Sequence, residues 1–88
     1  MKGNYLKKWE GSRIITSGPD WVLLGHENHF LALEVESSKE IPSNDSMVID
    51  IEPRSEEGYD IMFVEPEGAR TKITVAISEV LSSLQKLL

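Results

Sequence analysis

Carboxylates crowd one stretch of this chain: Asp50, Glu52, Glu56, Glu57 and Asp60 all fall between positions 50 and 60. Neighbouring carboxylates repel one another, and a hard cation that shares their oxygens lowers their energy. Calcium takes about six to eight oxygen ligands, so a stretch this rich in side-chain oxygens suits it. The chemistry this predicts is a weak divalent-cation site, with calcium as the ion and these five residues as oxygen donors. The spacing is not that of an EF-hand loop. Arg54 stands where that loop needs its third oxygen ligand, and the glycine falls at the wrong place. An affinity of about 10⁻⁴–10⁻³ M, typical of exposed sites, is therefore expected. The same residues have two other readings. One is a solvated face that keeps a sheet edge from pairing with other chains. The other is an acidic face that attracts a basic protein.

A second constellation is Gly25-His26-Glu27-Asn28-His29. Two histidines three apart can hold zinc when a third ligand is near, and Asp20 or a strand-end carboxylate could supply one. The segment itself reads as a polar surface loop, with no helix to set both rings on one side.

Catalytic patterns are missing. No Gly-x-Ser-x-Gly elbow and no glycine-rich phosphate loop occurs, and with no cysteine there is no thiol nucleophile or disulfide. A chain of 88 residues has little room to bury a substrate. These features predict a non-catalytic protein. Absence of cysteine fits the cytoplasm.

Charge reinforces the acidic reading. The net charge is −6, distributed as +1 over residues 1–27, −9 over residues 28–67 and +2 over residues 68–88. The middle of the chain repels phosphate backbones and anionic lipid, so neither nucleic acid nor a membrane surface is expected as a partner. The longest apolar runs fall far short of the ~20 residues that span a bilayer, and no signal peptide is expected.

Such residues need elements to position them. Asn4 can cap a short helix over residues 5–10 that Gly11 ends, with Tyr5, Leu6 and Trp9 on one face. Residues 13–16 and 21–24 read as a hairpin around Ser17-Gly18-Pro19-Asp20. Leu31, Leu33 and Val35 alternate along a half-buried strand, followed by a polar loop over residues 37–46. Residues 47–52, 59–65 and 71–77 read as a meander joined by Glu-Pro turns. In its first strand Met47, Ile49 and Ile51 are expected on one face, with Val48, Asp50 and Glu52 on the other. Ser78 and Glu79 then open a helix carrying Val80, Leu81, Leu84, Leu87 and Leu88 at helical spacing. The expected fold is α+β: one domain over residues 1–88, with a mostly antiparallel sheet of about five strands, a short N-terminal helix and a C-terminal helix packed on it.

At Asp50-Ile51-Glu52-Pro53-Arg54-Ser55-Glu56-Glu57-Gly58-Tyr59-Asp60 the chain resembles small acidic proteins of thermophilic methanogenic archaea, a likeness that extends over its length in size, acidity and lack of cysteine. The resemblance implies a compact α+β domain whose acidic surface takes up calcium.

Overall fold

The computed structural model describes residues 6–37, 41–54 and 58–77. They form six strands: β1 (Arg13–Ser17), β2 (Trp21–His26), β3 (His29–Ser37), β4 (Met47–Pro53), β5 (Gly58–Val64) and β6 (Arg70–Ile77). Every neighbouring pair is antiparallel, and the order β1-β2-β3-β6-β5-β4 closes into a barrel. Two meanders, β1–β3 and β4–β6, make up the wall. The connection after β3 returns the chain to the far side of β1, so β4-β1-β2-β3 is a Greek key.

This corrects the α+β expectation. The described residues contain no α-helix. The segment expected as an N-terminal helix is a 3-10 turn over Lys7–Trp9, whose first residue is preceded by Leu6 without a side-chain cap. Six residues before Gly11 are too few to repay helix nucleation. The Trp9 carbonyl is instead taken by Ser12, whose amide donates at 3.0 Å and whose hydroxyl donates at 2.6 Å. Gly11 turns the chain with φ 93°, and Leu6 and Trp9 are buried against the core. The helix expected over residues 78–88 lies outside the described residues.

Closure is what the sheet expectation lacked. The Gly11 amide donates to the Val48 carbonyl at 2.8 Å, Val48 to Ser12 at 2.8 Å, and Ile14 to Ser46 at 3.0 Å, sealing β1 against β4. Three bulges bend the strands far enough to meet, with Ile15, Glu36 and Ile49 as the extra residues. Each bulge also resets which face a side chain takes. Ile14 points inward while Ile15 is 48% exposed. In β4, Val48 and Ile51 are the inward pair, so the expected Met47-Ile49-Ile51 face does not form.

The interior is filled by Ile14, Val22, Leu24, Leu33, Val48, Ile51, Tyr59, Ile61, Phe63, Ile73 and Val75, each at most 1% exposed. Removing a side chain of this kind from water is worth about 1.5–3 kcal/mol. The barrel is therefore a packed core, and binding chemistry is left to its outer face and its ends. No helix among the described residues is long and apolar enough to cross a membrane.

Candidate functional site

Pleating sends Asp50 and Glu52 of β4 outward, and the register sets Glu52 directly opposite Asp60 of β5. Three of the five expected carboxylates thus share the outer face of one hairpin. Glu56 and Glu57 lie outside the described residues. Glu34 and Glu36 are not beside this group, because β6 and β5 stand between β3 and β4.

The chain supplies cations to this face. Lys7 Nζ lies 3.0 Å from Glu10 Oε2, 3.5 Å from Glu52 Oε2 and 3.6 Å from Asp50 Oδ1. The hydrogen bond to Glu10, aided by the charges of Glu52 and Asp50, raises the Lys7 pKa above its ordinary value. The 3-10 turn places this ammonium: with Leu6 and Trp9 buried, Lys7 is left on the side that overlooks β4. Asp60 is held differently. Arg54 Nη1 reaches its Oδ1 at 3.3 Å, and the Thr74 hydroxyl donates to the same oxygen at 2.9 Å. Among the described residues, four carboxylates (Glu10, Asp50, Glu52 and Asp60) thus surround two cations, an excess of negative charge that stays in contact with water. Among the described residues, no three His, Asp or Glu side chains are grouped so as to hold a metal ion.

Glu65 is separate from this face. It accepts hydrogen bonds from the Thr71 hydroxyl at 2.7 Å, the Ser43 hydroxyl at 3.2 Å and the Ser43 amide at 3.5 Å. The Thr71 bond is the main reason its pKa falls below the ordinary value, with Ser43 adding to it against desolvation. Its role is to tie the segment before β4 to the turn after β5.

The histidine segment is where the structure departs furthest from the loop expectation. His26 ends β2, His29 begins β3, and the two are direct partners in the ladder. Only Glu27 and Asn28 lie between them, with φ 50° and 68°. Positive φ at both central residues is the type I′ pattern that matches strand twist. The two imidazoles therefore stand on one side of the hairpin tip. They line a groove of about 220 Å³ together with Lys8, Trp9 and Glu27. His26 Nε2 is 3.5 Å from Glu27 Oε2. His29 Nδ1 is 3.0 Å from the Glu27 carbonyl oxygen. The signal for this hairpin was in the sequence: Asn28 is among the few residues that tolerate positive φ, and it lies in the short gap between β-patterned runs.

Comparison with protein-family models, curated proteins and solved structures finds no match.

Proposed function

We propose that this chain is a non-catalytic binding module that presents the outer face of β4 and β5 to a basic protein partner, acting in the cytoplasm. The observation that carries this reading is the juxtaposition of Glu52 and Asp60 across the ladder, with Asp50 two residues along the same strand face. Like charges directly opposite one another destabilise a sheet. A partner's lysine or arginine side chains would relieve that repulsion and exchange with Lys7 and Arg54. The same excess charge disfavours nucleic acid and anionic lipid.

The calcium reading draws on the same face. An ion there would have to displace Lys7 from Glu10, Asp50 and Glu52, displace Arg54 from Asp60, or recruit Glu56 and Glu57. The two readings separate by calorimetry. A lysine-rich peptide should bind saturably at low salt, weaken steeply as sodium chloride rises, and lose affinity in the Asp50→Asn/Glu52→Gln double variant. Calcium at matched ionic strength should give no saturable heat. Saturable calcium binding without peptide binding would overturn the interaction reading in favour of a cation site.

A further inference from the structure

We propose that the β2–β3 hairpin tip is a binding site for a divalent transition-metal ion, with His26 Nε2 and Glu27 carboxylate oxygen as its first two donors and His29 as the third. The proposal is independent of the acidic face, and its test reads different residues.

Donor spacing comes first. Two ligands bound at about 2.0–2.2 Å to a tetrahedral ion stand about 3.4 Å apart. His26 Nε2 and Glu27 Oε2 are 3.5 Å apart, a spacing that suits one ion bound by both. Imidazole with carboxylate is a donor set that suits zinc, nickel or copper better than calcium.

The state of His29 comes second. The Glu27 carbonyl can only accept a hydrogen bond, so His29 Nδ1, 3.0 Å away, carries the proton. In the neutral tautomer protonated at Nδ1, the Nε2 lone pair is free to ligate. The register holds His29 opposite His26, and both rings open on the same groove. In the structure the three side chains do not yet converge on one point. Rotation of the His29 side chain away from the Glu27 carbonyl completes the set; water fills the remaining position.

Backbone cost is the third observation. Glu27 occupies the first turn position with φ 50°, where glycine, asparagine or aspartate is the cheaper choice. A glutamate there sacrifices turn stability and places a carboxylate beside His26. Lys8 lines the same groove and opposes a cation, which supplies a discriminating variant.

The test is a zinc titration of the whole protein, followed by calorimetry and by the imidazole nitrogen resonances, with calcium as the control. The expected result is saturable binding with one ion per chain and a large shift of His26 Nε2. Glu27→Gln should weaken binding tenfold or more, and His26→Gln, with an amide spectrum that confirms the fold, should abolish it. Lys8→Met should tighten it. The proposal is overturned if the His26 ring nitrogens do not move up to millimolar zinc. It is equally overturned if binding survives His26→Gln, or if Lys8→Met weakens binding, the sign of an anion site.

Discussion

Glu52 on β4 lies directly opposite Asp60 on β5, and each carboxylate is held by a cation from a different part of the chain, Glu52 by Lys7 and Asp60 by Arg54. The arrangement is asymmetric. Asp60 is the more enclosed of the two and also accepts from Thr74, whereas Glu52 is open to water at 60% side-chain exposure.

That asymmetry predicts opposite responses to neutralisation. Asp60→Asn loses a charge-assisted bond to Arg54 and weakens the Thr74 contact, so it should lower unfolding free energy by about 0.5–1.5 kcal/mol. Glu52→Gln removes repulsion and should leave stability unchanged or slightly raised. Urea unfolding of both variants checks the order. Greater damage from Glu52→Gln would contradict the described pairing.

Lys7 occupies the position between Glu10, Asp50 and Glu52 that an incoming cationic group would take. Lys7→Gln should therefore strengthen capture of a lysine-rich peptide and steepen its salt dependence, as screening acts on more unpaired charge. Calorimetry at two salt concentrations reads this directly. Unchanged peptide affinity would mean that the trio around Lys7 is not part of the binding face.

Two glycines differ in what a methyl group would meet. At Gly18 an added Cβ runs into the Trp21 indole, with Cε2 at 2.5 Å and Cδ1 at 2.8 Å. At Gly25 it meets Cδ1 and Cγ1 of Ile15, at 2.6 and 2.8 Å, and that side chain is exposed. Gly18→Ala should displace the indole, shift its N–H resonance and cost about 1–3 kcal/mol. Gly25→Ala should cost less, and Ile15→Ala should remove that cost. An unshifted Trp21 resonance in Gly18→Ala would contradict the packing.

Glu65 gives the acid-side prediction. Thr71 is the first cause that holds its pKa below the ordinary value of 4.5, with Ser43 adding to it. A depressed carboxylate contributes stability that is fully present above the unfolded pKa and is lost as the pH falls through the folded one. Thr71→Val should raise the Glu65 titration midpoint, read by its side-chain carboxyl carbon shift. It should also flatten the fall in stability below pH 4.5. A midpoint that does not move would place the cause elsewhere.

Much of the wall was legible in the sequence because alternation is a short-range signal. Ile61 with Phe63, Ile73 with Val75, and Leu31 with Leu33 turn inward as their spacing predicts. Bulges broke the pattern elsewhere: one extra residue at Ile49 turns Val48 rather than Met47 into the core. Barrel closure was hidden for a related reason. It rests on backbone bonds between residues 11–14 and 45–48, and backbone donors carry no residue-type signature. The N-terminal helix was overestimated because Leu6 and Trp9 three apart suit a 3-10 turn as well as an α-helix. Of the candidate carboxylates, Asp50, Glu52 and Asp60 come together as the strand pattern suggested. The pairing of Asp50 and Glu52 with Lys7 depends on a turn more than 40 residues away in sequence. The His26–His29 pair was readable as a two-residue turn, but the polar composition of the segment masked it.

The most direct test of the acidic face is a residue-resolved amide chemical-shift titration with a lysine-rich peptide, run beside calcium chloride and sodium chloride at matched ionic strength. Saturating shifts at Asp50, Glu52 and Asp60 with the peptide alone are the result expected of a docking face for a basic partner. Saturating shifts at the same residues with calcium, or diffuse shifts that follow ionic strength in all three titrations, would contradict it.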